Sequence, residues 1–443
     1  MNGLRSFWGK QVDNSPLILF RMGFGFLAMA ESWGAIMTGW VRKTLVEPQF
    51  TFNFIGFDWL QVLQGQPMYA YYVIMGLAGV GIMLGFRYRL SCFLFFLFWT
   101  GCYLMQKTAY NNHYYLLMLL SAIMIFVPAH KARSLDVRFG WVKQENTCAN
   151  AYISFFIIHL TIVYLFASFN KIYPGWLNAE PIQLWFGAKR KLFLIGPLLT
   201  ERWFQYFIAY GGIVYDGLIV FILLNARTRK FGFFLSLFFN LFNSAVFQIG
   251  IFPYLMILWN VFFYPGETIR KTFFKRKPVV ETQEAQFPVS YTWLFVLYFG
   301  VQIILPLRHW WIPGDVNWTE EGHRMSWRMM LRAKNGHGSF TAVNDQTGQS
   351  EVVKLRDHLT AKQVRSVTRN PDMAWQFARY LKKYYREMGW SEVKVYANLK
   401  SSLNGSEFRQ VIDPEVDLAS AKRSFFSHSE WIVTPNYENR PKK

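Results

Sequence analysis

The chain has 443 residues, 52% of them hydrophobic and only 17% charged, where about 25% charged is usual for a soluble domain. Its net charge of +20 comes with 44 Phe, 23 Tyr and 18 Trp, and the basic residues punctuate long apolar runs, as loops on the cytoplasmic side of a membrane do. This excludes a wholly soluble enzyme, a disordered chain and a coiled coil, accounts for the positive charge with no nucleic acid as partner, and leaves three cysteines, Cys92, Cys102 and Cys148, too few for a disulfide scaffold.

The first apolar run, from Pro16 to about Trp40, is too long for a cleavable signal peptide and lacks a small-residue cleavage site. Crossing a hydrocarbon core of about 30 Å takes about 20 apolar residues. Candidate spans fall at 16–40, 68–86, 89–105, 113–128, 152–170, 204–225, 231–247, 250–264 and 290–306. The stretch 231–264 is long for one helix and short for two, and Gly250 and Pro253 offer a break in it. If it crosses twice, the basic clusters at Arg5/Lys10, Arg87/Arg89, Lys131 to Lys143, Arg227 to Lys230 and Arg270 to Lys277 all face the cytoplasm. Only Lys189/Arg190/Lys191 then stands on the outer side. The expected fold is a polytopic α-helical membrane protein of about nine spans, residues 1–306, followed by a C-terminal β-rich α+β soluble domain, residues 307–443, on the outer side. In that domain 339–343 and 351–355 read as strands joined by the turn Asn344-Asp345-Gln346-Thr347-Gly348. A helix fits 371–388, with Pro371 at its start and Gly389 past its end, and 392–399 reads as a further strand.

Three polar islands interrupt the apolar pattern. The first is Lys107-Thr108-Ala109-Tyr110-Asn111-Asn112-His113. An asparagine at a helix start caps free N–H groups, and the helix dipole there favours an anion and a neutral histidine; an interfacial polar loop reads equally from the same residues. The second is Lys171, which follows the run 152–170 and precedes Ile172-Tyr173-Pro174-Gly175-Trp176. A lysine there either snorkels to water or, held in an apolar pocket, serves as a neutral base. The third runs from Asn317-Trp318-Thr319 through His323 to Ser326-Trp327-Arg328-Met329-Met330. Its Trp and Arg side chains suit an anionic peptide group and its methionines adaptable apolar packing; an aromatic membrane belt with snorkelling arginines is the alternative. His159, mid-span, with His113 suggests haem only weakly, and no His/carboxylate or Cys/His/Met spacing for a metal occurs, so metal chemistry is not expected.

At these islands the chain resembles the vitamin K-dependent gamma-glutamyl carboxylases, whose membrane part is the horizontally transferred transmembrane domain. The matching stretches are 107–116, 171–176, Asn243-Ser244-Ala245-Val246-Phe247-Gln248-Ile249-Gly250-Ile251-Phe252, 317–330, and Ile412-Asp413-Pro414-Glu415-Val416-Asp417, in order along almost the whole chain. The resemblance implies that vitamin K hydroquinone is deprotonated and oxygenated by O2, that the strong base so formed removes a γ-proton from a peptide glutamate, that CO2 adds to the carbanion, and that vitamin K epoxide leaves. It places the family's base on Lys171 and its supporting histidine on His113. The hydroquinone pocket would include Asn112, Met329 and Met330, and the grip on glutamate would lie around Trp318, His323 and Trp327. Partners are then the lipid bilayer, the quinol and a glutamate-containing peptide or protein. Length and cysteine usage resemble bacterial members, which implies an inner membrane with the C-terminal domain outside the cytoplasm. Departures are Asn240 for a histidine, Gln106 and Tyr110 for an Asp and a Trp, His323 for a tyrosine, and no cysteine in the outer domain. The competing readings are a quinol epoxidase without peptide carboxylation and a non-enzymatic quinol-binding protein or transporter; a transporter would more often show two related halves, and no repeat occurs.

Overall fold

A computed structural model describes residues 2–435 except 194, 248 and 282, so Gln248 of the third matched stretch lies outside the described residues. The chain forms two compact units. The first comprises residues 1–46, 53–165 and 215–303, the second 47–52, 166–214 and 304–443.

The first unit is helical. Ser15–Met37 starts with Pro16, whose missing N–H costs nothing at a helix start. It crosses Pro67–Leu84 backbone to backbone. A Cβ on Gly25 would lie 2.2 Å from the Met83 nitrogen, and one on Gly79 2.6 Å from the Met29 nitrogen. Close approach through glycines is how helices associate where lipid removes the hydrophobic drive between them. Gly85, at φ 64°, ends Pro67–Leu84, and Tyr88–Met105 returns. The core includes Phe156 stacked on Phe262 at 4.3 Å, with Phe20 against both and the Trp259 indole donating to the Phe156 carbonyl at 3.0 Å. Antiparallel pairing of Gln11–Asp13 with Thr147–Ala149 ties the N-terminal region to the loop before Asn150–Phe169. Asp13 there forms an ion pair with Arg270 at 3.1 Å and accepts from Lys277, so part of the 270–277 basic cluster is paired.

Among the described residues, six helices are long and apolar enough to cross a membrane: Pro67–Leu84, Tyr88–Met105, Asn150–Phe169, Arg202–Leu224, Arg229–Phe247 and one from Val289 to Trp310. The protein is an integral membrane protein with about six candidate spans, which corrects the nine expected. Asn112–Phe126 has 15 residues, and at 1.5 Å per residue reaches about 22 Å of the ~30 Å needed. The region 231–264 does divide in two at Gly250, φ 63°, but the second piece is only Phe252–Trp259 with the short 3₁₀ turn Asn260–Phe263. Ser15–Met37 is long enough, yet Arg21, Glu31 and three glycines dilute its apolar content. On Arg229–Phe247 the apolar Phe231, Phe234, Phe238 and Leu241 are exposed along one stripe, as a helix bathed in lipid requires.

The second unit holds a four-stranded antiparallel sheet in the order Ser350–Val352, Lys334–Asn344, Val393–Leu403, Arg409–Gln410. The strands run longer than the expected 339–343 and 392–399 because Lys334 to Asn344 pairs residue for residue with Leu403 to Val393. Gly348, φ 71°, closes the expected turn by donating to the Asn344 carbonyl at 2.9 Å. Pro371–Glu387 packs on the sheet, Phe377 meeting Phe340 edge-on at 5.0 Å. Phe50 stacks on Tyr380 at 4.3 Å, and Gln363 donates to the Phe50 carbonyl at 2.8 Å.

Candidate functional site

In the first unit, Asn112 and His113 open the Asn112–Phe126 helix. Asn111, not Asn112, caps it: its Oδ1 accepts from the Tyr114 N–H at 2.7 Å. That leaves Asn112, buried, to accept from the Tyr110 hydroxyl at 3.1 Å. Tyr110 also lines a narrow aromatic crevice between Trp40, Tyr72, Trp99, Tyr103 and Tyr114. The His113 ring stacks on Phe252 at 3.9 Å, and its buried Nδ1 has no hydrogen-bond partner among the described residues. A buried ring nitrogen left open beside aromatic walls fits a phenolic hydroxyl. Gln106 is buried and donates to the Thr44 carbonyl at 3.1 Å. Asn240 donates to the Ser236 carbonyl one turn back at 2.8 Å, and His159 meets the Tyr298 hydroxyl at 2.9 Å.

In the second unit, Lys171 follows the end of Asn150–Phe169 and is 8% exposed. Its ammonium lies 5.5 Å from the centre of the Trp176 ring. Trp176 is itself fixed, its indole donating to the Ala209 carbonyl at 3.0 Å. A Cβ on Gly212 would touch both the Lys171 Cε and Trp176 at 3.9 Å, so the lysine stem runs between an indole and a side-chain-free stretch of helix.

The third island forms the other part of the same unit. Trp318 and Trp327 are buried, His323 and Met329 partly so, and Met330 is 38% exposed. Glu320, Met325, Trp327 and Met330 all have positive φ, between 46° and 66°. Each such residue costs about 1–2 kcal/mol, so the path persists only because side chains hold it. The Trp318 indole donates to the Val433 carbonyl at 2.7 Å. Lys334 donates to the Trp318 carbonyl and lies 3.6 Å from Glu320. Arg332 grips both Glu320 oxygens and also lies 3.3 Å from each His323 ring nitrogen. Arg324 binds Asp372 through two nitrogens, at 2.7 and 3.2 Å.

The electrostatics follow from this crowding. Burial alone would raise the Glu320 carboxyl, but Arg332, Lys334 and Arg324 together outweigh it and hold it below the usual range. Burial pushes Lys334 down to about 8, against the pull of Glu320. Burial and then the cations Arg332, Arg328, Arg324 and Lys334 hold His323 well below its ordinary value, so it is neutral at pH 7. A neutral imidazole among cations can hydrogen-bond a carboxylate without adding charge of its own, and the surroundings favour an anion.

The structure thus gathers Trp318, His323, Trp327, Met329 and Met330 on one segment of the second unit, with Lys171 in that unit, while Asn112 and His113 belong to the first. The last matched stretch, 412–417, shapes the fold: Asp417 accepts from the Val395 and Ala419 N–H groups at 2.9 and 3.2 Å. Sequence reasoning overlooked Asn170, Tyr173 and Asn404, which surround Lys171's turn; only the adjacency of Asn170 and Tyr173 to Lys171 pointed to two of them.

Two family models match the chain. That of the HTTM domain covers residues 10–267, and that of the lumenal domain of vitamin K-dependent gamma-carboxylase covers residues 289–438. No solved structure matches it.

Proposed function

The chain belongs to the vitamin K-dependent gamma-glutamyl carboxylase family, and on that premise we propose that it couples epoxidation of vitamin K hydroquinone by O2 to carboxylation, with CO2, of glutamate in a peptide. The observation that carries this reading is the succession of both family domains on one chain, and it is supported by the burial of Lys171, the residue on which the resemblance puts the family's base. When bound, vitamin K hydroquinone supplies the electrons for O2 and a basicity that no side chain reaches. Lys171 would take the phenolic proton at Nζ, where Trp176 and the Gly212 stretch keep water away. His113 would hold a hydroxyl at Nδ1, beside Asn112. Met329 and Met330 would give apolar contact to the quinol, and Trp318, His323 and Trp327 would orient the glutamate.

The setting we propose is a bacterial inner membrane with residues 307–443 outside the cytoplasm. The quinol then arrives from the bilayer and the peptide from water. A second reading, quinol epoxidation without peptide carboxylation, is favoured by His323 and Asn240 standing where the family's tyrosine and histidine are expected. Membranes given hydroquinone, O2, CO2 and a glutamate peptide should yield quinone epoxide and γ-carboxyglutamate together. Epoxide alone selects the second reading, and neither product rejects both.

A further inference from the structure

The turn that carries Lys171 is fastened on both sides to the segment that carries Arg328. Asn170, just before the lysine, donates from Nδ2 to the Ser326 carbonyl at 3.1 Å and accepts at Oδ1 from Arg328 Nη1 at 2.9 Å. Tyr173, two residues after it, donates its hydroxyl proton to the Leu331 carbonyl, and Asn404 donates to that hydroxyl oxygen at 3.3 Å. Arg328 also donates to Asn317 Oδ1 at 2.8 Å and meets His309 Nε2 at 3.3 Å. His309 Nδ1 lies 2.7 Å from the Pro306 carbonyl, so Nδ1 carries the proton and Nε2 accepts from the guanidinium.

Arg328 therefore meets three side chains drawn from three separate stretches, and it is only 6% exposed. Burial lowers its pKa to about 10, which still leaves it fully charged at neutral pH. A planar, always-protonated fork suits this three-way bracket, whereas a point charge does not. The sequence pointed to the arginines of this island as a grip for an anionic peptide group. The geometry points elsewhere for this one: we propose that Arg328 is a positioning residue for Lys171, holding the turn 170–173 so that the amine keeps the depth and direction that proton transfer needs. The proposal rests on the reading of Lys171 as the base. Its reason is geometric. A lysine side chain is long and freely rotating, so its reach is defined only if its Cα is anchored, and a displacement of ~1 Å from a reacting group can cost about 10²-fold in rate.

The test uses the full-length protein in detergent or nanodiscs, as the parent and as Arg328→Gln, Arg328→Lys and Asn170→Ala. Without quinone, brief acetic anhydride treatment and mass spectrometry give the acetylation of Lys171 relative to the exposed Lys383. The expected result is a rise in that ratio of about fivefold or more in Arg328→Gln and Asn170→Ala, because the local turn opens. With quinol, kcat for epoxidation should fall about 10- to 100-fold while the KM for a glutamate peptide stays within about twofold. Arg328→Lys should remain impaired despite its charge. An unchanged acetylation ratio with unchanged kcat overturns the proposal. So does a raised peptide KM at parental kcat, which would return Arg328 to the peptide grip. If Arg328→Gln does not fold, Asn170→Ala decides alone, since it removes one partner at the turn itself. Lys171→Ala separates the two levels. Parental epoxidation by that variant sinks the reading of the base, whereas its inactivity beside fully active Arg328 and Asn170 variants sinks only the bracket.

Discussion

Replacing Glu320 by alanine removes a buried carboxylate that Arg332 and Lys334 share. The three side chains are 6%, 12% and 4% exposed. The variant leaves two cations facing each other and a neutral His323 with nothing to balance them. Breaking a buried ion pair from one side costs about 3–5 kcal/mol, because the remaining charge stays desolvated. At about 2–4 °C per kcal/mol for a domain of 150–250 residues, the melting temperature should drop by about 6–20 °C. Scanning fluorimetry on the detergent-solubilised protein reads this directly, with Glu320→Gln falling between parent and alanine. The pH dependence has a definite sign. Glu320's carboxyl is held below its ordinary value, so its stabilisation is fully present above about pH 4.3 and is lost as pH falls through the lower folded value. Parent and alanine variant should therefore differ most near neutrality and converge in acid. A neutral-pH shift under about 2 °C, or a gap that stays constant down to strong acid, would refute the reasoning.

Lys171→Ala should slow quinol epoxidation by about 10²–10⁴ with normal membrane insertion. A small added amine should restore part of that rate and Lys171→Arg should not; a rate within a few-fold of the parent would pass the role to Lys107 or His113. Gly79→Leu should abolish recovery of monodisperse protein, since its first side-chain atom already lies 2.6 Å from the Met29 backbone, whereas Gly34→Leu, with nothing within 4 Å, should be tolerated; equal size-exclusion profiles for the two would show that the glycine crossing is dispensable. Protease added to sealed spheroplasts should cut within 307–443. With the N-terminus in the cytoplasm, six crossings alone would return that domain to the cytoplasmic side, so cleavage there then requires an odd number, and protection there with cleavage in inverted vesicles would reverse the orientation.

Helix positions were legible wherever a local pattern states them. The long apolar runs located each membrane helix to within a few residues, Pro371 and Gly389 framed the helix Pro371–Glu387, and the 344–348 turn was readable from its own chemistry. The span count was not, because hydropathy marks a segment as apolar before it says how far its helix continues; Asn112–Phe126 and the 252–263 piece stop short. The residues of the candidate site were nameable through family resemblance, while their supports were not. Arg328 with Asn170, and Tyr173 with Leu331, are separated by 158 residues each, and such pairings leave no period in the sequence. Nothing local to Arg328 announced that Asn170, Asn317 and His309 would gather around it.

Phe50 and Gln363 are 313 residues apart. At a synthesis rate of 5–20 residues per second, roughly 15–60 s pass between their emergence from the ribosome. During that interval Phe50, which packs against Phe52, has no Phe377 or Tyr380 to stack on, although the helices on either side of it are already made. The second unit is thus completed last, by capture of a segment that has been waiting since early in translation. An excised fragment beginning at residue 304 would lack that partner, and its helix 371–387 would present a bare aromatic face to water.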